Sequence, residues 1–200
     1  MRRIGGPGIV VGLDEVGRGA LAGPLTVAAV VLPDEPQIVG IDDSKKLSPR
    51  RREELAILIR EHAIGIGIAH IPAPDIDARG MSSCLRQAMV SALDEAQDSC
   101  GCEADAVLVD GIPLGIHPKE ISVVKGDAKI ACISAASIVA KVTRDALMIK
   151  MGERYPTYAL ETNKGYGSPV HIANLKKQGP CELHRRTFLN NILNGQQELL

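Results

Sequence analysis

The sequence predicts an α/β fold in which a mixed sheet is covered by helices. Apolar, β-branched runs come first along the chain, and later runs alternate with segments of helical periodicity. The 200 residues suffice for one domain with a full core, and 45% of them are hydrophobic. With one Phe, three Tyr and no Trp, that core must be aliphatic.

Five apolar runs have the length and composition of strands. The first two are joined by a short Gly/Pro-containing segment that favours a turn and an antiparallel pair, and Pro33 ends the second run. The five strands are predicted at Ile9–Leu13, Leu25–Leu32, Ile64–Ile71, Ala106–Val109 and Ile121–Val124.

Three segments are predicted as helices. Ser48 as N-cap and Pro49 in the first turn begin a helix over Arg50–His62. Met81–Gln97 shows apolar residues at helical spacing. Ile130–Met151 is a long apolar stretch with many small residues, and it is predicted to be a helix lying against the sheet.

No low-complexity linker or repeat divides the chain, so a single domain is predicted over residues 1–200. A helical C-terminal segment, about 168–200, is expected to pack on it. The net charge is −1, but residues 119–188 hold 12 Lys/Arg against 6 Asp/Glu. An acidic part that could hold metal and a basic part that could hold a phosphate backbone would suit a nuclease.

The cysteines and the hydropathy exclude several classes of protein. Five cysteines in a chain of this length do not make a disulfide scaffold. Cys100 and Cys102 have no second Cys/His pair at zinc spacing, so they are predicted to be free thiols near a turn. No apolar run approaches a membrane span, and the N-terminus lacks a long apolar signal segment. A cytoplasmic protein is therefore expected.

The most informative motif follows the first predicted strand. Asp14 and Glu15 are adjacent acids at its tip, and such acids are costly to bury unless a cation pairs with them. Gly17 and Gly19 allow a ligand to approach the backbone closely, and Arg18 between them has donors suited to phosphate. Metal-binding acids beside a phosphate-contacting backbone favour metal-dependent nucleic-acid chemistry.

Two further acids repeat this pattern. Asp110 ends a short strand and is followed by glycine, and Asp127 lies just after another. Because α/β sheets place their sites at the carboxyl ends of strands, Asp14, Glu15, Asp110 and Asp127 could converge. Four carboxylates would repel one another unless divalent cations neutralise them, and oxygen ligands favour Mg²⁺ or Mn²⁺. Two such ions could cleave a phosphodiester by in-line displacement.

Basic and aromatic residues later in the chain are candidates for substrate contacts. Lys141, Arg144 and Asp145 share a helical neighbourhood, and Asp145 is interpreted as either a further metal ligand or, by preference, an outer partner that orients basic groups. Tyr166 is flanked by glycines and could stack on a sugar or base. The predicted substrate-binding residues are Gly17, Arg18, Gly19, Lys45, Lys46, Lys141, Arg144, Tyr166 and Arg185.

Taken in order, these motifs resemble bacterial type 2 ribonuclease H, ribonuclease HII. The resemblance covers about residues 9–188. It rests on Asp14-Glu15-Val16-Gly17-Arg18-Gly19, Asp43-Ser44-Lys45-Lys46-Leu47, Val109-Asp110-Gly111, Lys125-Gly126-Asp127, Ser134-Ala135-Ala136-Ser137 through Arg144-Asp145, Lys164-Gly165-Tyr166-Gly167 and His184-Arg185-Arg186.

The resemblance implies a ribonuclease H-like fold, a mixed five-stranded sheet flanked by helices. It implies cleavage of RNA in RNA–DNA hybrids, and of duplex DNA 5′ to an embedded ribonucleotide, with 3′-hydroxyl and 5′-phosphate ends. Asp14, Glu15, Asp110 and Asp127 would bind the metals. Residues 17–19 would read the 2′-hydroxyl, and Tyr166 would stack on the following deoxyribose.

The resemblance also favours type 2 over the related type 3 enzymes, because of Arg18 and because only eight residues precede the first strand. No clamp-binding peptide is expected beyond Phe188, and a monomer is expected. Another nuclease of the same fold, or a non-catalytic hybrid-binding module, remains as an alternative. A phosphate-binding loop protein is disfavoured because residues 17–19 lack its lysine-containing motif.

Overall fold

The computed structural model describes residues 8–34, 38, 40–41 and 47–193. The chain divides into two compact units. The first comprises the residues up to Val16 together with Thr26–His70 and Leu85–Val142, and the second comprises Gly17–Leu25, Ile71–Cys84 and the residues from Thr143 onward. The single domain over residues 1–200 stays a prediction.

A five-stranded mixed sheet forms the centre of the first unit, as predicted. Its strand order is β3-β2-β1-β4-β5. β1 pairs antiparallel with β2 and parallel with β4, and β4 pairs parallel with β5. The strands are β1 (Val10–Val16), β2 (Leu25–Val31), β3 (Gly65–Ile71), β4 (Ala106–Asp110) and β5 (Glu120–Val123).

The first strand is longer than predicted. Asp14 and Glu15 lie within β1 rather than after it, because β2 continues to pair with them through Ala28 and Val27. Because β1 extends to Val16, the connection between the two strands is shorter than the predicted strand bounds implied. Residues 17–24 form a loop there, and Gly17 has a positive φ of 87°.

Among the described residues, helices occupy the three predicted segments and four others, two of which lie in the predicted C-terminal segment. Ser48 caps the first helix as predicted, since its hydroxyl accepts a hydrogen bond from the Arg51 backbone nitrogen at 3.2 Å. The third and fourth helices each end three residues beyond their predicted ends. The helices are α1 (Pro49–His62), α2 (Ala73–Arg79), α3 (Met81–Cys100), α4 (Ala131–Arg154), α5 (Leu160–Asn163), α6 (Pro169–Gln178) and α7 (Asn190–Leu193).

Helix α2 was missed by the sequence analysis. It is only seven residues long, carries a proline in its first turn, and is separated from α3 by Gly80, which has a φ of 79°. Such a short segment shows too little periodicity to be recognised.

The core of the first unit is aliphatic, as predicted. β2 is buried along its whole length. Its inward side chains pack with those of α1 and with the first turns of α4. The members include Ala28, Val30, Leu55, Ile59, Ile138 and Val139.

Glycines let the helices approach the sheet closely. A Cβ added at Gly12 of β1 would meet the backbone of Cys132 and Ile133 in α4, with the Ile133 nitrogen at 2.5 Å. A Cβ at Gly65 of β3 would lie 2.5 Å from the Ala96 carbonyl oxygen of α3. Any larger residue at these positions would therefore push a helix away from the sheet.

The second unit has a separate core. It is built on Met148, Leu160, Leu175 and Leu189, with Tyr158 among them. Within its described part, the predicted C-terminal segment contains the helices α6 and α7. Throughout the ranges that the structure describes, every helix is too short or too polar to span a bilayer.

Candidate metal centre and substrate-binding residues

The structure brings three of the four predicted acids together. Leu13 of β1 pairs with Val109 of β4, so the residues that follow them, Asp14 and Asp110, are neighbours across the sheet. Asp127 lies in a 3-10 turn after β5. One oxygen of each carboxylate lies within 4.8 Å of the other two.

Backbone hydrogen bonds fix the position of Asp127. The Asp110 carboxylate accepts a hydrogen bond from the Gly126 nitrogen at 2.7 Å, which ties this turn to the end of β4. The Ser134 hydroxyl of α4 donates to the Asp127 carbonyl oxygen. A Cβ at Gly126 would lie 2.5 Å from Cδ1 of Ile133, so a side chain there would require the Ile133 side chain to move.

The Asp14 carboxyl is buried, with 7% of the residue exposed. It accepts a hydrogen bond from the Glu15 nitrogen at 2.7 Å. The pKa of Asp14 is raised to about 7, mainly by burial and also by the charges of Glu15 and Asp110. A hydrogen bond with Ser137 of α4 opposes that rise. A negative charge at this position is therefore costly without a cation.

The donor set of this group fits a hard divalent cation. Its three members offer only carboxylate oxygens, which Mg²⁺ and Mn²⁺ prefer, and it contains no His or Cys that would favour zinc. The group is partly accessible through Asp110, which is less buried than Asp14 and Asp127. A bound cation would offset the repulsion among the three carboxylates.

Glu15, the predicted fourth ligand, is not in this group of three. It follows Asp14 in a strand, and the side chains of successive strand residues point to opposite faces of the sheet. Its charge nevertheless contributes to the raised pKa of Asp14, so it lies near the group.

The predicted recognition residues 17–19 lie in the second unit. Gly17 is buried, and a Cβ added there would collide with the Arg144 guanidinium. Arg18 and Gly19 are exposed. This loop can therefore present residues 18 and 19 to a ligand, while Gly17 keeps it close to the arginine.

Arg144 is completely buried, although it was predicted as a substrate contact. Its Nε donates to the Pro24 carbonyl at 2.8 Å, and its two terminal nitrogens donate to Lys164 at 2.8 Å and Ala22 at 3.1 Å. Burial lowers its pKa, and the charges of Tyr166 and Asp145 oppose that shift. Arg144 thus holds the loop of residues 17–24 by its backbone.

Arg185 is also completely buried and has the same kind of partners. It donates twice to the Gly23 carbonyl, at 3.2 and 2.9 Å, and once to the Arg18 carbonyl at 3.0 Å. Burial lowers its pKa to about 10, and the positive charge of Arg144 adds to the shift. Both arginines therefore direct their donors to backbone carbonyls of the loop.

The remaining predicted residues are placed as follows. Tyr166 is 37% exposed, and the Arg144 guanidinium lies 5.4 Å from its ring centroid. Lys141 is half-buried on α4, in the first unit. The charge of Asp145 acts on Arg144, and among the described residues it is not in the acidic group. Lys45 and Lys46 lie outside the described residues.

Sequence reasoning missed a buried pair of histidines. His171 and His184 have exposures of 0% and 2%, and their Nε2 atoms are 3.1 Å apart. His184 was noted only as part of a basic tripeptide. The pair is formed by packing between α6 and the segment that follows it, which leaves no local signal in the sequence.

The sheet, its covering helices and the acidic group at the carboxyl ends of the neighbouring strands β1 and β4 together define a ribonuclease H-like nuclease. Among solved structures, ribonuclease H2 from Pyrococcus horikoshii OT3 is similar, with a TM-score of 0.76 and 29% identity over 94% of this chain and 98% of that one. A ribonuclease HIII described as "Bst-RNase HIII in complex with Mn2+" shares the fold at 21% identity and a TM-score of 0.73, covering 96% of this chain and 71% of that one.

The family follows from the sequence comparisons. The model of the family Ribonuclease HII matches residues 11–191. Ribonuclease HII from Bacillus subtilis (strain 168) is 44% identical over 180 residues, which cover 90% of this chain and 69% of the relative. That from Caldanaerobacter subterraneus is 43% identical over 95% of this chain and 78% of the relative. The chain belongs to the ribonuclease HII family of endoribonucleases, which bind nucleic acid and use divalent metal ions.

Proposed function

We propose that this endoribonuclease cleaves duplex DNA on the 5′ side of an embedded ribonucleotide, as well as the RNA strand of RNA–DNA hybrids. The products have 3′-hydroxyl and 5′-phosphate ends. The observation that carries the proposal is the group formed by Asp14, Asp110 and Asp127, with ligand atoms within 4.8 Å of one another. The proposed role in the cell is the removal of ribonucleotides from DNA. We propose that the protein carries it out in the cytoplasm and as a monomer.

The acids are proposed to bind two divalent ions, Mn²⁺ or Mg²⁺. Asp14, Asp110 and Asp127 would supply ligands, and Glu15, whose side chain leaves the other face of β1, is assigned a fourth carboxylate that reaches the ions around the end of the strand. When bound, such ions activate a water and stabilise the leaving oxygen of a phosphodiester. No side-chain nucleophile is required, which fits a group made only of carboxylates.

Recognition of the ribonucleotide is assigned to residues 17–19. The 2′-hydroxyl distinguishes RNA from DNA, and a backbone that approaches it closely can donate to it or accept from it. The exposure of Arg18 and Gly19 supports this assignment, as does the bracing of the loop by two buried arginines. Arg144 and Arg185 then act on the substrate through the loop.

Tyr166 is assigned the contact with the deoxyribose that follows the ribonucleotide. Its ring is partly exposed, and the buried Arg144 lies against it. A held aromatic ring can stack on a sugar at little entropic cost. The lysines Lys45, Lys46 and Lys141 are assigned contacts with backbone phosphates.

The test uses labelled duplex DNA with one ribonucleotide beside an all-DNA control, with Mg²⁺, with Mn²⁺ and with EDTA. We expect metal-dependent cleavage 5′ to the ribonucleotide and none in the control. Cleavage of both duplexes would indicate a general nuclease of the same fold. Cleavage of neither, with tight binding to a hybrid, would indicate a non-catalytic binding module.

A further inference from the structure

The second unit contains two histidines that the proposed chemistry does not use. His171 lies in the first turn of α6, and His184 lies beyond the end of that helix. Both are buried, and their Nε2 atoms are 3.1 Å apart, within hydrogen-bond distance. A direct bond between two imidazoles requires one ring to donate and the other to accept.

The neighbouring backbone groups determine which ring donates. The Cys181 nitrogen donates to Nδ1 of His184 at 3.1 Å, so the proton of His184 must be on Nε2. That proton is donated to Nε2 of His171, which leaves the proton of His171 on Nδ1. Nδ1 of His171 then donates to the Tyr166 carbonyl at 2.8 Å. The three bonds define one tautomer for each ring, and both rings are neutral.

The surroundings of the pair favour this neutral arrangement. Burial lowers the pKa of both histidines, and the positive charge of Arg186 lowers that of His184 further. Tyr158 packs edge-on against His184, with ring centroids 4.7 Å apart. His171 lies in the positive first turn of α6, where its nitrogen donates to the Ser168 hydroxyl at 3.2 Å.

The pair adds a second connection between the two segments that are assigned to substrate recognition, which the Leu21 and Ala22 nitrogens already join by donating to the Gly165 carbonyl at 2.8 and 3.1 Å. On one side, His171 holds the carbonyl of Tyr166. On the other side, the backbone around His184 pairs with the loop of residues 17–24. The Gly23 nitrogen donates to the Leu183 carbonyl at 2.8 Å, and the Arg185 nitrogen donates to the Leu21 carbonyl at 2.8 Å.

We propose that His171 and His184 are positioning residues that hold Tyr166 in register with the loop of Gly17–Gly19. This inference rests on the proposed function, because it gives the pair a role in recognising the junction between ribonucleotide and deoxyribonucleotide. Neither ring touches the substrate. Both act through the backbone at Tyr166: His171 holds the tyrosine by its bond to the Tyr166 carbonyl, and His184 fixes the tautomer in which His171 donates that bond.

Two amide substitutions separate the two bonds of His171. His171→Gln can replace the acceptor that faces His184 but cannot donate from the Nδ1 position to the Tyr166 carbonyl. His171→Asn can donate from the Nδ1 position but cannot reach His184. Since both remove the ring and add an amide, differences between them report the bond to Tyr166.

The measurement is kcat/KM on a single ribonucleotide in DNA, divided by kcat/KM on a long hybrid. We expect His171→Gln to lower this ratio about tenfold, the value of one lost aromatic stacking contact, and His171→Asn to preserve it. In a Tyr166→Ala background, His171→Gln should change the ratio no further. Equal losses on both substrates, or an additive effect in that background, would overturn the proposal.

A second measurement needs no substrate. The chain has three tyrosines and no tryptophan, so Tyr155→Phe with Tyr158→Phe leaves Tyr166 as the single tyrosine emitter. We expect acrylamide to quench this emission more strongly after His171→Gln than in the parent or after His171→Asn. If His171→Gln does not fold, His184→Met, which removes the donor to His171, should increase the quenching, whereas His184→Gln, which keeps a donor, should leave it unchanged; unchanged quenching after His184→Met would overturn the proposal.

The two measurements distinguish the two ways of failing. If the unsubstituted protein does not cleave at a single ribonucleotide, the proposed function is wrong, and the quenching still decides whether the pair holds Tyr166. If cleavage is as proposed but His171→Gln changes neither the quenching of Tyr166 nor the ratio of the two kcat/KM values, the positioning role is wrong. Increased quenching with an unchanged ratio also overturns the role in recognition.

Discussion

The two units of this enzyme bury charge in opposite ways. In the first, three carboxylates lie within reach of one another, and burial raises the pKa of Asp14 to about 7. In the second, Arg144 and Arg185 are more deeply buried, yet backbone carbonyls accept from both guanidiniums. The acidic group depends on a cation from outside, whereas the arginines are satisfied by the chain itself. Substitution of one of the three carboxylates should therefore chiefly change activity, and substitution of either buried arginine should chiefly change stability.

The largest expected effect is the loss of cleavage on Asp110→Asn. An amide oxygen can still accept the hydrogen bond from Gly126, so the fold should be kept while a charged metal ligand is lost. We expect kcat to fall about 10³-fold or more, since metal ions contribute several kcal/mol to such reactions. The melting temperature without metal should stay unchanged or rise.

The matched control is Asp94→Asn, which removes an exposed carboxylate from α3 and should leave kcat unchanged. Activity of Asp110→Asn close to that of the parent would contradict the metal assignment. A large loss of melting temperature would show instead that the carboxylate holds the fold, and the contrast between the two units would then disappear.

The next effect is on stability, from Arg144→Met and Arg185→Met. Each substitution leaves two or three buried carbonyls of the second unit without a donor. We expect the free energy of unfolding to fall by roughly 3 kcal/mol in each case, measured by urea denaturation. Arg60→Met on the exposed side of α1 should change it by less than about 0.5 kcal/mol. Equal values for all three would mean that the buried donors are dispensable.

The pH dependence of stability sharpens the comparison further. His184 has a pKa of about 4 in the folded protein, against 6.5 for the ordinary group, because it is buried beside His171. Between these values the unfolded chain binds more protons. The contribution of neutral His184 to the free energy of unfolding is therefore fully present above pH 6.5. It falls by up to roughly 3 kcal/mol as the pH is lowered towards 4.

The measurement is the free energy of unfolding as a function of pH, for the parent and for His184→Gln. Asp14 contributes with the opposite sign in the same range, so the difference between the two proteins is the quantity to follow. We expect the substituted protein to lose less stability on acidification. Parallel curves would show that His184 is not held neutral in the folded state.

The smallest expected effect concerns the exposed ring of the second unit. Tyr166→Ala should lower kcat/KM at a single ribonucleotide about tenfold and should affect a long hybrid less, because only the former depends on one junction contact. Tyr166→Phe keeps the ring and should behave like the parent. Equal losses on both substrates would remove the role at the junction.

The sheet was predictable because strands that are packed on both faces require runs of apolar residues, and such runs are easily recognised in the sequence. The acids were predictable because a carboxylate at the end of such a strand is costly and therefore conspicuous. Helix α2 was not predictable, since seven residues show too little periodicity. The extension of β1 through Val16 depends on pairing with β2, which is a property of two segments and not of one.

The roles of Arg144 and Arg185 could not be predicted for a related reason. In sequence, a basic residue near a predicted nucleic-acid site suggests a phosphate contact, because such residues are usually exposed. Here the loop of residues 17–24 folds over both side chains and offers them its carbonyls. The positive charge of the two arginines could be read from the sequence, but their burial depends on packing between segments that are far apart in the chain.

Gly12 influences the spacing of the acids in the candidate metal centre. Because it has no side chain, the main chain of β1 rests directly against that of α4. The following turns of α4 carry Ser134 and Ser137, which hold Asp127 and Asp14. The spacing between two of the acids therefore depends on contact between main-chain atoms of β1 and α4. We expect changes in the aliphatic core that leave Gly12 and this contact in place to alter that spacing less than a larger residue at position 12 would.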